Sequence, residues 1–112
     1  MTETTDQRRA RVARARAAEH EVHAALSRRM GVVWRIPRGE IAHATGRRTA
    51  VMGVGAADFI GLLRGRGVAV EVKTGVGVLT PAQKVWRKAW EDAGGLYCVV
   101  GSAADVDKVM EG

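Results

Sequence analysis

The chain has 112 residues, 46% hydrophobic and 27% charged, a composition that fits one compact domain and leaves no room for a second core. Lys and Arg number 18 against 12 acids, a formal charge of +6, and such an excess implies a polyanionic partner such as nucleic acid. No apolar run approaches the roughly 18 residues of a membrane span and the Arg-rich N-terminus is no secretion signal, so a soluble cytoplasmic protein without a membrane partner is expected.

The charge is unevenly spread. Residues 1–56 hold 11 Arg and 5 acids, while the remainder holds 7 basic and 7 acidic residues. Residues 6–30 avoid Gly and Pro and are rich in Ala and Arg, which predicts a helix capped by Thr5 or Asp6. Up to Arg16, the side chains of Arg8, Arg9, Arg11, Arg14 and Arg16 surround one large apolar residue, Val12, so these turns have no packing face and are free to fray. Five Arg almost without acids is a pattern that releases counterions from phosphates, and nucleic-acid contact is favoured over a solvated helix face. Beyond Ala18, Val22, Leu26 and Met30 form a stripe, and Glu19 and His23 share its side. Gly31 ends the helix.

Residues 32–36 read as a strand closed by Pro37, which has no N–H for a central ladder position. Residues 38–55 mix Gly, Arg, Thr and His with weak periodicity. They read as a long substrate-facing loop, with room for a short strand at residues 49–52. Residues 58–63 and 68–73 are strand-like runs around Arg64-Gly65-Arg66-Gly67. A four-residue loop there pairs Leu63 with Val68, Ile60 with Glu71 and Asp58 with Lys73. Alternation then gathers Asp58, Glu71 and Lys73 on one side, within roughly 5 to 8 Å of one another, and turns Val68, Val70 and Val72 to the other.

Thr80-Pro81-Ala82-Gln83 is a capping box with Pro at the first helical position. The helix runs to Gly94-Gly95, with Ala82, Val85, Trp86, Ala89, Trp90 and Ala93 on its expected buried face and Lys84, Arg87 and Lys88 outside. Core packing is favoured over base stacking for Trp86 and Trp90, and Trp34 is open to either. Residues 96–100 read as a buried strand whose Cys98 is an inert thiol, and Ser102 caps a last helix running to about Met110. The expected architecture is an α/β sandwich with a mixed sheet and no internal repeat.

A lone Glu-x-Lys is weak evidence, expected by chance in roughly a third of chains of this length. Its weight comes from the upstream Asp58 in hairpin register, the Val-rich strand and the basic first half. Two carboxylates this close repel, and a divalent cation between them makes the arrangement favourable, which describes a Mg²⁺ site with open positions. Such an ion polarises a phosphodiester and makes hydroxide available near neutral pH. Lys73 orients or deprotonates the attacking water, or stabilises the developing phosphorane.

Gly53-Val54-Gly55-Ala56-Ala57-Asp58, then Val70-Glu71-Val72-Lys73, then Leu79-Thr80-Pro81-Ala82-Gln83 with Trp86 resemble the VRR-NUC branch of the PD-(D/E)XK nuclease superfamily over about residues 53–101. The resemblance implies a restriction-endonuclease-like α/β fold, a mixed β-sheet flanked by helices in a single small domain. It also implies Mg²⁺ or Mn²⁺ held by Asp58 and Glu71 with the Val72 carbonyl, Lys73 assisting the water and Gln83 supporting the site. Glu19 matches the family's first-helix Glu, where it would bind a second metal or anchor a water, and Glu21 is the fallback. Ala57 stands where the family usually has Pro, and His23 where Gln is common; neither change removes a required charge. Small members resemble junction-resolving enzymes and tend to form homodimers.

These readings converge on a metal-dependent endonuclease acting on DNA phosphodiesters, selective for branched or junction structure. Residues 1–18 are read as a basic extension of the first helix and residues 19–112 as the nuclease domain. Arg35, Arg38, Arg47 and Arg48 flank the loop entering the cleft and are expected to grip the DNA backbone with the N-terminal Arg run. The rivals are a non-catalytic DNA-binding module on the same fold and an interaction subunit that docks a protein. His20-Glu21-Val22-His23 falls one residue short of a zinc-protease helix motif, and a structural reading is favoured there. Gly53-x-Gly55 and Gly75-x-Gly77 read as turns.

Overall fold

A computed structural model describes residues 2–50, 53–75 and 77–111. The elements in chain order are α1 (Thr5–Arg29), β1 (Val32–Arg35), β2 (Glu40–Ala42), β3 (Arg48–Ala50), β4 (Phe59–Leu63), β5 (Arg66–Val72), α2 (Pro81–Asp92), β6 (Leu96–Val100) and α3 (Ala103–Val109). The main sheet has the order β1-β4-β5-β6, antiparallel except for the parallel pair β5 and β6. This is a mixed sheet with helices on both faces. β1 lies at the sheet edge, and Pro37 follows just beyond its end, outside the ladder.

The two cores follow from strand alternation. Phe59, Val68, Val70 and Val100 face one side, where Val22, Ala25 and Leu26 of α1, Met30 at its C-cap and Val106 of α3 cover them. Ala69 and Tyr97 face the other with Ala57, against Ile60, Leu79, Trp86 and Trp90. Trp86 and Trp90 stack at 5.2 Å, and the Trp90 indole donates to the Leu96 carbonyl at 2.7 Å. The α1 stripe is buried as its spacing predicts, with Ala18 the first buried residue of the helix. The described residues N-terminal to it are all exposed or half-buried.

Several expectations change. The cap of α1 is Thr4, whose hydroxyl accepts from the Gln7 N–H while the Gln7 side-chain oxygen accepts from the Thr4 N–H. This capping box gives the arginine-rich turns, expected to fray, a defined end. Residues 38–55 are not one irregular loop, because β2 and β3 pair as a separate two-stranded sheet. Of the strand expected at residues 49–52, β3 includes Thr49 and Ala50, while Val51 and Met52 lie outside the described residues. On α2, Val85 is 72% exposed and Ala89 is exposed, so only the Trp side of the expected stripe is packed. The sheet is narrow, and α2 covers the β5 and β6 side of its face.

The hairpin register also differs by two residues. Leu63 pairs with Arg66 and Phe59 with Val70, so Leu63 does not face Val68, Ile60 does not face Glu71 and Asp58 does not face Lys73. The loop is Arg64-Gly65 alone, with φ of 52° and 80°. Two positive φ values at the centre of a two-residue hairpin match the strands' right-handed twist, and the αL position that normally selects Gly or Asn is held here by Arg64. A slip of two keeps every side chain on its predicted face. Continued one step past Phe59, the register sets Asp58 across from Glu71.

Gly55 joins the loop before β4 to the start of α2. Its φ is +82°, and a Cβ there would lie 2.4 Å from the carbonyl carbon and oxygen of Ala82. Gly53, with φ +88°, has open space in that direction. Gly55→Ala should therefore cost about 1–3 kcal/mol through overpacking in addition to backbone strain. Gly53→Ala should cost less, since it carries only the strain. Urea unfolding of both variants measures the difference, and equal losses would show that the contact with α2 is immaterial.

Candidate active site

The site lies at the end of the sheet where β4 begins and β5 finishes, between α1 and the N-terminus of α2. A cleft of about 560 Å³ opens there, lined by Glu19, Arg38, Glu71, Val72, Lys73 and Gln83 among others. Asp58 precedes β4, and its backbone carbonyl accepts from the Ile36 N–H at 2.8 Å. Its side chain is buried at 4% exposure. The Val72 N–H donates to Asp58 Oδ2 at 2.8 Å, so the last residue of β5 anchors the carboxylate that stands beside it.

Glu71 is buried at 3% exposure. Its Oε1 accepts from Gln83 Nε2 at 2.7 Å. The capping box of α2 sets this contact, because the Gln83 side-chain oxygen accepts from the Thr80 N–H at 2.8 Å and turns the amide nitrogen toward the sheet. Glu71 Oε2 is buried with no hydrogen-bond partner. Burial pushes the Glu71 carboxyl above its ordinary pKa; Lys73 and Arg38 pull it down, and Glu19 pushes it up. All three charged groups therefore stand close enough to be felt at Glu71. Lys73 is half-buried at the end of β5, its N–H donating to the Val100 carbonyl at 2.9 Å.

Glu19 comes from α1 on the other side of the sheet end, with its side chain 14% exposed. Its Oε2 accepts from Arg35 Nη2, and its Oε1 from Arg38 Nη2 at 3.3 Å. Arg38 also pairs with Asp58 Oδ1. Glu21, the fallback for Glu19, is turned away, its carboxylate accepting from the Ala103 N–H at 3.1 Å. His23 is half-buried and stacks on Phe59 at 5.2 Å, while His20 is exposed.

The structure thus brings Asp58, Glu71, Lys73, Gln83, Glu19, Arg35 and Arg38 together. It does not bring in Arg47 and Arg48, which are exposed on the β2–β3 hairpin, with Arg48 paired to Glu40 at 3.5 Å. Arg8, Arg9, Arg11, Arg14 and Arg16 lie on the N-terminal turns of α1, and Arg11 pairs with Glu3 at 2.8 Å. Sequence reasoning assigns Arg38 to DNA and misses its pairing with Asp58; a basic residue in a long loop has no periodic signal that names its partner. It also misses the Gly55 contact with α2, because a loop glycine marks a turn or a close approach without naming the distant partner.

Among the described residues no group of three or more His, Cys, Asp and Glu is arranged to hold a metal ion. The pair Asp58 and Glu71 still fits a divalent cation. A buried carboxylate oxygen without a partner is costly unless a cation or donor reaches it, and Glu71 Oε2 is such an atom. The Asp58 carboxylate opposite it already has a cationic partner in Arg38. Oxygen donors of this kind suit Mg²⁺ or Mn²⁺, which accept few protein ligands and keep waters.

A mixed four-stranded sheet flanked by three helices, with two carboxylates buried at one end and a lysine beside them, defines an α/β domain with a charged, open cleft. No family profile and no curated protein matches this chain. Among solved structures, one described as a VRR_NUC domain is similar, with 26% identity over 83% of this chain and 92% of that one and a TM-score of 0.57. The chain has a VRR-NUC domain fold.

The raised Glu71 pKa sets a pH dependence. The native state holds this proton at pH values where the unfolded chain has lost it, so stability is greatest below the ordinary glutamate pKa. It falls as pH rises through the raised native value. In EDTA, Glu71→Gln should lack this fall and exceed the wild type at neutral pH by about 1 kcal/mol, because the neutral amide removes a buried charge. Urea midpoints across that range test it, and an unchanged slope in the variant would assign the pH dependence elsewhere.

Proposed function

We propose that this protein is a Mg²⁺- or Mn²⁺-dependent endonuclease that hydrolyses DNA phosphodiester bonds, selecting branched or junction structure. The observation that carries the reading is the buried pair Asp58 and Glu71, with Glu71 Oε2 left without a partner beside an open, charged cleft. The VRR-NUC domain fold supports the nuclease class.

In this reading Asp58, Glu71 and the Val72 carbonyl hold the ion, and Glu19 completes the acidic set from α1. The ion, when bound, supplies Lewis acidity and charge neutralisation at the phosphodiester. Gln83 fixes the Glu71 carboxylate by donating to Oε1. Lys73 places an ammonium near Glu71, where it orients the attacking water or balances the negative charge that builds on the phosphate oxygens. Arg35 and Arg38 line the approach of the backbone, with Arg47 and Arg48 on the neighbouring hairpin extending the basic surface. Residues 1–18 act as a basic arm and residues 19–112 as the nuclease domain. A homodimer belongs to the same reading: Val32, Trp34 and Leu62 leave an exposed apolar surface on the β1 and β4 edge that a second copy would cover. No helix among the described residues is long and apolar enough to cross a membrane.

The alternative is a DNA-binding module without catalysis, favoured by the pairing of Arg38 with Asp58. Labelled junction, flap and duplex DNA in Mn²⁺ and in EDTA separate the two. A metal-dependent nuclease cleaves in Mn²⁺ only, and Asp58→Ala and Lys73→Ala should each lose about 10²-fold or more in rate while DNA binding persists. Binding without cutting in either buffer supports the alternative, and full activity of either variant overturns the assignment. For the arm, replacing Arg8, Arg9, Arg14 and Arg16 with Ala should flatten the dependence of log affinity on log salt by roughly 0.9 for each phosphate no longer neutralised. An unchanged slope would mean the arm does not touch DNA.

A further inference from the structure

We infer that Arg38 is a tethered cation that holds the metal-binding carboxylates closed until a divalent ion and a DNA phosphate replace it; this inference rests on the metal-nuclease reading above. The atoms it occupies show how. Asp58 Oδ2 is taken by the Val72 N–H, and Arg38 pairs with the remaining oxygen, Oδ1. Glu19 Oε2 is taken by Arg35, and Arg38 reaches the remaining oxygen, Oε1. One guanidinium group therefore spans two carboxylates from different elements through the oxygens that the backbone and Arg35 leave over. These are the oxygens that an incoming ion needs.

The holder is built to let go. Arg38 is 71% exposed, so its side chain can swing outward without giving up core packing. It lies between Pro37 and Gly39, at the foot of the β2–β3 hairpin and on the rim of the cleft. A planar guanidinium that leaves a carboxylate finds an equivalent forked partner in a phosphate. Release from Asp58 and Glu19 and capture by the DNA backbone are then one movement. Linkage makes the effect reciprocal: DNA that draws Arg38 away strengthens metal binding, and the metal strengthens DNA binding by the same factor. A holder closed nine-tenths of the time would weaken apparent metal affinity about ten-fold.

Mn²⁺ titration of the DNA-free protein by calorimetry tests this without relying on cleavage. Arg38→Ala and Arg38→Gln should bind Mn²⁺ about 3–10-fold tighter than the wild type. Arg28→Ala, which removes an exposed charge from the last turn of α1, should stay near the wild-type value. Thermal unfolding of the same proteins guards against misfolding: metal-free Arg38 variants should melt cooperatively, at or below the wild-type temperature, and gain more from Mn²⁺ than the wild type does. Unchanged or weaker Mn²⁺ binding in both Arg38 variants, or an equal gain in Arg28→Ala, overturns the inference while leaving the nuclease reading intact. Absence of Mn²⁺ binding in every protein, Arg38 variants included, overturns both.

Discussion

Two carboxylates buried side by side at the end of a small sheet are the constraint around which this chain is organised. Removing a carboxylate from water costs several kcal/mol unless a cation or hydrogen-bond donors replace the solvent. At Asp58 the replacement comes from the Val72 N–H and Arg38, and at Glu71 the hydrogen bond comes from Gln83. One oxygen of Glu71 has no hydrogen-bond partner. Such a group costs a domain of this size stability, and the proposed ion site would give it a use.

The surrounding architecture positions that pair. The antiparallel register of β4 and β5 sets Asp58 opposite Glu71, and the capping box of α2 aims Gln83 at Glu71. The close approach of Gly55 to Ala82 ties the loop before Asp58 to the same helix end. Glu19 arrives from α1, which is clamped to the opposite face of the sheet by Val22, Leu26 and Met30. Both faces of the sheet therefore contribute to one end of it, where the strands stop and the cleft begins. The N-terminal turns of α1 project no apolar face and carry the arginines instead, so the helix that packs the core also extends a basic surface.

The helix stripe of α1, the capping box at residues 80–83, the Ser102 cap and the strand at Leu96–Val100 were legible in the sequence because each is written in local spacing. The grouping of Asp58, Glu71 and Lys73 on one face is legible for the same reason, and it is the same in either register, since a slip of two residues preserves the face. The two-residue loop itself was hidden by Arg64, which occupies an αL position where Gly or Asn would have marked the turn. The β2–β3 hairpin was obscured by three-residue strands, too short to show alternation. Exposure of Val85 could not be read from α2 alone, because it depends on how much of the sheet the helix covers. Arg38 was recognisable as a cleft residue, but its carboxylate partners are fixed by tertiary geometry.

Sharing of one divalent ion by the carboxylates of Asp58 and Glu71 is tested most directly by anomalous diffraction from crystals of the protein grown with Mn²⁺. A peak is expected within bonding distance of both Asp58 and Glu71 carboxylate oxygens, with the Lys73 ammonium nearby and Arg38 displaced from Asp58. Fully loaded crystals with no density between the two carboxylates, or with manganese bound only elsewhere on the surface, would contradict it.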